Sequence, residues 1–171
     1  MVEETVAFVD AHPDCCERSL LQGHMTGSAW ILDRDFRRVL LTHHRKLNRW
    51  LQPGGHADGE ADILGVALRE AREESGLLSI CIVESVPFDV DIHVIPARGQ
   101  EPEHKHYDVR FLFQADGNEA FHVSEESHAL AWVSLQDLAT RVDINESVRR
   151  MVRKTLKRRL PEGALPYVNL A

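Results

Sequence analysis

Three carboxylates, Glu70, Glu73 and Glu74, crowd the end of the segment LQPGGHADGEADILGVALREAREESGLL. On a helix of 3.6 residues per turn they fall within about 100° of one another. Like charges at i,i+3 and i,i+4 repel by roughly 0.2–0.5 kcal/mol per pair. The last helical turn also carries partial negative charge of its own. A divalent cation resolves that conflict. Converging carboxylates with a nearby backbone carbonyl make an all-oxygen site suited to Mg²⁺ or Mn²⁺. The bland alternative is a solvated acidic face balanced by Arg69 and Arg72.

The elements that must position these groups are legible around them. Asp62 suits an N-cap, because its carboxylate can accept from the first free N–H groups. Gly76 suits the residue after the helix, where φ > 0 is needed. Leu64, Ala67, Leu68 and Ala71 form an apolar stripe between them. Gly65 inside that helix costs about 1 kcal/mol relative to Ala. Elsewhere, GSAWILD and RVLLTHH read as strands joined by the charged turn DRDFR, and RWLQPGG ends in a Pro-Gly-Gly turn. SICIVESVPF, DVDIHVI and YDVRFLFQA are strand-like, with ARGQEPEHK a polar loop. LAWVSL reads as a short strand and SLQDLATR as a short helix. Residues 2–21 look helical, interrupted at His12-Pro13. Strands and helices mix without a repeating βαβ rhythm, which favours a mixed sheet with helices packed on it.

The segment GGHADGEADILGVALREAREESGL resembles the Nudix box, G-x5-E-x7-R-E-U-x-E-E-x-G-U with U aliphatic. Gly55 supplies the first glycine, Arg69 and Glu70 the R-E pair, Glu73 and Glu74 the E-E pair. Gly76 and Leu77 close the box, with Ala71 at its first aliphatic position. The first glutamate position holds Ala61, flanked by Glu60 and Asp62; a loop shifted by one residue lets Glu60 take that role. GSAWILDRDFRRVLLTHHRKLNRWLQPGGH and LAWVSLQDL are similar to the elements before the box and at the domain's end.

The resemblance implies an α/β/α sandwich, an α+β fold with a mixed sheet in which the box forms loop–helix–loop. It divides the chain into an N-terminal helical extension, residues 1–24, and a Nudix domain, residues 25–171. It implies a metal-dependent pyrophosphohydrolase that cleaves a diphosphate bond in a nucleoside diphosphate linked to another group. Glu70, Glu73 and Glu74 would hold Mg²⁺ or Mn²⁺, with the Gly54 carbonyl as a further ligand. Arg69 would orient a carboxylate through a charge-assisted hydrogen bond. The ion neutralises the diphosphate and lowers the pKa of a bound water, and a carboxylate removes its proton. That base is a box glutamate or one from a later loop, where Glu125 and Glu126 are candidates. Two other functions share the fold. One is a non-catalytic nucleotide sensor. The other is an enzyme like isopentenyl-diphosphate isomerase, whose catalytic cysteine precedes a Gly-His element; here that position is Gly54.

The histidines and cations are candidates for substrate contact. His104, His106 and Asp108 alternate, so an extended chain puts all three on one face. Neutral imidazoles bind metal or contact phosphate. His56 follows Gly54-Gly55 directly, where the chain should border the site. Arg45 and Lys46 either reach phosphates or mark a charged turn. Trp50 and Trp132 read as core, and Cys15 and Cys16 as structural.

Composition bounds the rest. The 171 residues suit one domain, 43% are apolar and 27% charged, and the net charge is −7. General affinity for nucleic acid is therefore not expected. Seven basic residues in RRMVRKTLKRR depart from this; Val148, Met151, Val152, Thr155 and Leu156 give that segment one buried face. No apolar run is long enough to span a bilayer. The acidic N-terminus has no basic n-region, and three cysteines without a CxxC pattern fit a reducing cytoplasm.

Overall fold

The computed structural model describes residues 1–45, 48–116, 121, 127–142 and 144–158. Helix α1, Val2–Ala11, leads through turns into strand β1, Gly23–Leu32. Strands β2 (Arg38–His44), β3 (Arg49–Leu51) and β4 (Gly54–His56) precede helix α2, Ile63–Ser75. Then come β5 (Ile80–Ile82), β6 (Asp89–Ile95), β7 (His104–Ala115) and β8 (Ser127–Ser134). Helices α3, Leu135–Thr140, and α4, Glu146–Lys157, follow.

The strands form one mixed sheet. Its spine is β1 running parallel to β7, in register from Gly23 opposite Lys105 to Leu32 opposite Gln114. Each spine strand changes its other neighbour along its length. The first half of β1 pairs with β4, and its end meets β2. The first half of β7 pairs with β6 and the second with β5.

Alternation along β1 sorts its side chains between two cores. Ala29 and Ile31 pack with Phe8 of α1 and with Val66, Ala67 and Ala71 of α2. Trp30 and Leu32 pack with Leu135 and Leu138 of α3 and with Val148, Met151 and Val152 of α4. Helices therefore cover both faces, and the expected α/β/α layering holds.

Four local expectations need correction. Only the first half of residues 2–21 is helical; after Pro13 the chain turns. The Pro-Gly-Gly segment is not merely a turn, because Gly54–His56 lies antiparallel to β1. SICIVESVPF is strand only at Ile80–Ile82. The helix caps are as the sequence indicates: the Asp62 carboxylate accepts from the Gly65 N–H at 3.0 Å, and Gly76 sits at φ 66. A Cβ at Gly65 would stand 2.7 Å from Asp62 Oδ2, so glycine there clears the cap. The stripe of α2 is shifted: Val66, Ala67 and Ala71 are buried, while Leu64 and Leu68 only flank the core.

Candidate active site

Strand β4 sits between α2 and the sheet spine, and both glycines in it exist for contact. The Gly54 N–H donates to Glu74 Oε1 at 2.7 Å. A Cβ on Gly55 would lie 2.5 Å from the Glu70 carboxyl carbon, so only a bare α-carbon lets that carboxylate approach. A side chain at Gly54 would collide with Ser28 Oγ, which leaves no room for the cysteine an isomerase would place there. Arg69 pairs with Glu70 at 2.9 Å, lies 3.8 Å from Glu73, and donates to the His56 carbonyl at 3.3 Å. Glu70 is largely enclosed and Glu73 points outward, at 16% and 62% side-chain exposure. Glu60 is exposed; its carboxylate accepts from the Asp62 N–H at 2.9 Å, beside the helix start.

These oxygens fit Mg²⁺ or Mn²⁺. Glu70 and Glu74 flank the Gly54–Gly55 backbone, the glycines make the cradle, Glu73 stands on the exposed side of the same helix end, and the donors are all hard oxygen. The loop before α2 is braced from the N-terminal segment. Arg18 forms a two-bond salt bridge to Asp58, and the Gly59 N–H donates to the Cys16 carbonyl at 2.9 Å. That bridge holds the Asp58 carboxyl below its ordinary range.

The other face of β4 carries a different cluster. His56 lies beside His24 of β1 and His106 of β7, with ring centroids 5.0 and 4.8 Å away. His104 and His93 join them: their rings lie 5.2 and 5.4 Å from His106. Register explains this, since His24 and His93 are the partners of His106 on either side. His24 is only 4% exposed, and neither of its ring nitrogens has a hydrogen bond. The Leu20 carbonyl accepts from the Gly23 N–H at 3.2 Å and lies near enough to the ring to raise its pKa a little, without making a hydrogen bond to it. Leaving such a group unpaired costs roughly 1–3 kcal/mol. Burial, then the neighbouring His104, lowers the pKa of His24. Burial pushes His56 down to about 4, with Arg18 adding to it, and His106 down to about 2, with the other rings adding.

Of the expected site residues, His56, His104 and His106 thus come together, though with one another. Asp108 shares their face but turns away: it accepts from Thr26 and Ser28 at 3.0 and 2.8 Å and pairs with Arg110 at 2.7 Å. Arg45 is exposed in the turn after β2. Lys46, Glu125 and Glu126 lie outside the described residues. The sequence reading missed His24 and His93. The available signal was parity: His93 alternates with Asp89 and Asp91 in DVDIHVI, as His106 does with Asp108.

Among the described residues, five of the segment's basic side chains are paired within the protein. Arg150 reaches Asp89 and Asp91 at 2.7 and 2.9 Å, Lys154 reaches Asp89 at 2.5 Å, and Arg158 reaches Glu84 at 2.7 Å. Arg149 and Arg153 pair with Glu146.

A family model described as the NUDIX domain matches residues 24–155. Among solved structures the chain is similar to a NUDIX-family hydrolase from Clostridium perfringens, at 23% identity and TM-score 0.62, over 78% of this chain and 95% of that one. It is similar to a C. elegans Ap4A hydrolase at 20% identity and TM-score 0.60, over 76% and 93%. A MutT NUDIX hydrolase from Burkholderia pseudomallei gives 24% identity and TM-score 0.55, over 78% and 98%. No curated protein matches the chain.

Proposed function

Because the chain belongs to the Nudix domain family, whose members are hydrolases of phosphoric anhydride bonds, we propose that it cleaves a diphosphate linkage in a nucleoside diphosphate joined to a second group. The observation that carries this reading is the docking of the box onto β4. Glu74 is anchored on the Gly54 N–H, and Glu70 lies against the bare α-carbon of Gly55. Glu70, Glu73, Glu74 and the Gly54 carbonyl would hold Mg²⁺ or Mn²⁺. When bound, the ion neutralises diphosphate charge and acidifies water.

The chain's own residues do the rest. Arg69 fixes Glu70 by a charge-assisted bond and ties it to β4 through the His56 carbonyl. Glu73, exposed and held only at 3.8 Å by Arg69, is the box carboxylate free to take a proton from an attacking water. Glu125 and Glu126 are the later-loop candidates for the same task. The substrate class stays broad, since the solved relatives include an Ap4A hydrolase and a dihydroneopterin triphosphate pyrophosphohydrolase.

The test is a product screen with Mg²⁺ and with Mn²⁺. It covers ADP-ribose, nucleoside triphosphates, dinucleoside polyphosphates, NADH and sugar nucleotides. At least one should yield phosphate-containing products. Glu73→Gln and Glu74→Gln should each cut that turnover about a hundredfold or more, the scale of losing one electrostatic contact to a developing charge. Both should stay folded, because the amide introduced by Glu74→Gln still offers an oxygen to the Gly54 N–H and Glu73 is exposed. Wild-type rates in both folded variants would remove the assignment.

A further inference from the structure

The box does not absorb the histidines. Among the described residues, His24, His56 and His106 are the group whose ligand atoms converge, all within 4.8 Å of one another. We propose that these three, completed by His104, form a transition-metal centre of the Zn²⁺ class, separate from the carboxylate site on α2.

Four observations carry this. The first is the orphaned ring: His24 is buried with both nitrogens unpartnered, and a metal ion would take the one that carries the lone pair, leaving the other N–H on the side of the Leu20 backbone. The second is spacing. A tetrahedral ion with Zn–N bonds of about 2.0–2.1 Å holds its nitrogens about 3.3–3.4 Å apart. His104 Nε2 and His106 Nε2 already stand 3.3 Å apart. The three rings of the triad start with ligand atoms within 4.8 Å, and the ion would draw them in by rotation about their side-chain bonds. The third is orientation. The Pro102 carbonyl can only accept, so His104 Nδ1 carries the proton at 2.9 Å and Nε2 presents its lone pair inward. Metal-ligating histidines are held in this way. The fourth is chemistry. Imidazoles select borderline ions such as Zn²⁺, whereas the oxygens on α2 suit Mg²⁺ or Mn²⁺. Burial favours the neutral forms of His24, His56 and His106, and imidazole ligands must be neutral.

The donors come from three strands, β1, β4 and β7, so the ion would tie β4 to the spine from the face opposite α2. Ring packing alone would leave His24 unsatisfied.

The test loads the full metal-stripped chain with Zn²⁺ or Co²⁺ in excess Mg²⁺, which occupies the oxygen site. One Zn²⁺ per chain should survive the Mg²⁺, and Co²⁺ should show the strong visible absorption of a tetrahedral nitrogen site. His24→Gln and His106→Gln should each lower Zn²⁺ affinity at least a hundredfold and abolish that absorption. Should either fail to fold, His104→Ala, at the partly exposed strand end, should still lower affinity at least tenfold. Glu73→Gln should change neither, so the outcome is independent of whether the chain hydrolyses diphosphates. Zn²⁺ retained equally by the histidine variants, or lost in the glutamate variant, would overturn the centre. So would the absence of stoichiometric Zn²⁺ in wild type.

Discussion

At the scale of single residues, the box was legible because chemistry is written there as spacing. Glu70, Glu73, Glu74 and Gly76 keep their intervals whatever surrounds them. What spacing could not supply is the purpose of the glycines, which depends on what packs against them. Gly55 faces the Glu70 carboxylate, with a built Cβ 2.5 Å from its carboxyl carbon. Gly55→Ala should therefore displace Glu70 rather than the backbone. Overpacking against a movable side chain costs about 1 kcal/mol, so the thermal midpoint should fall little while turnover falls tenfold or more. A variant with full turnover would mean that Glu70 works from another position. Glu60 offers a sharper contrast. Its carboxylate is engaged with the Asp62 N–H at 2.9 Å, at the opposite end of α2 from Glu73 and Glu74. Glu60→Ala should reduce turnover less than Glu70→Ala does. The reverse order would show that the loop refolds around Ala61 and restores the missing glutamate. The histidines were half legible for a related reason. Alternation within one strand put His104 and His106 on one face, but only the registers of β1 and β6 against β7 bring in His24 and His93.

Among the elements, legibility follows whether the signal is local. Helix α2 announces itself by its own cap, stripe and terminal glycine, and β2, β6 and α3 by periodicity. Strands β3 and β4 have three residues each and exist only because β2 and β1 pair with them. No periodicity could reveal them. Helix α1 was visible, but its place was not. It lays Phe8 flat on Tyr107, rings 3.9 Å apart and 7° from parallel, and Glu4 reaches Lys105 at 2.9 Å. The Met25 N–H also donates to the Cys15 carbonyl at 2.8 Å, joining the turns after α1 to the first strand. Phe8 and Cys15 of the N-terminal segment therefore pack into the same core cluster as β1, α2 and β7. With Phe8 only 7% exposed, Phe8→Ala should destabilise by about 3 kcal/mol, at the low end for a buried Phe. The urea midpoint should fall accordingly at unchanged m-value. An unchanged midpoint would return α1 to the status of an extension.

At the scale of the whole molecule, one face of the sheet carries a polar ladder that its apolar core does not explain. His106, Asp108 and Arg110 on β7 stand opposite His24, Thr26 and Ser28 on β1, and opposite His93, Asp91 and Asp89 on β6. At one end burial lowers the pKa of His24, His106 and the adjoining His56, which favours their neutral forms. At the other, α4 clamps the acids: burial alone would raise the Asp91 pKa, but the His93 contact and the Arg110 and Arg150 guanidiniums outweigh it and hold it well below its ordinary value. Both ends respond to acid in the same direction. A histidine with a depressed native pKa binds protons more readily when unfolded, so stability falls as pH drops from about 6.5 toward its native value. For His56 that window ends near 4. A carboxylate with a depressed native pKa likewise favours the unfolded chain once pH drops below about 3.9. The chelated, metal-free protein should thus lose stability progressively below about pH 6.5, from His56 down to about pH 4 and from His106 down to about pH 2, with the acid clamp adding to the loss below about 3.9. Urea unfolding between about pH 7.5 and 3 measures both. Replacing His56 and His106 together by Gln should flatten the fall above about pH 4 and leave below it only the part due to the acid clamp. A wild-type protein whose stability stays level from about pH 7 to 4.5 would show that the rings are charged at little cost, and that their gathering is not an enclosed cluster of neutral imidazoles.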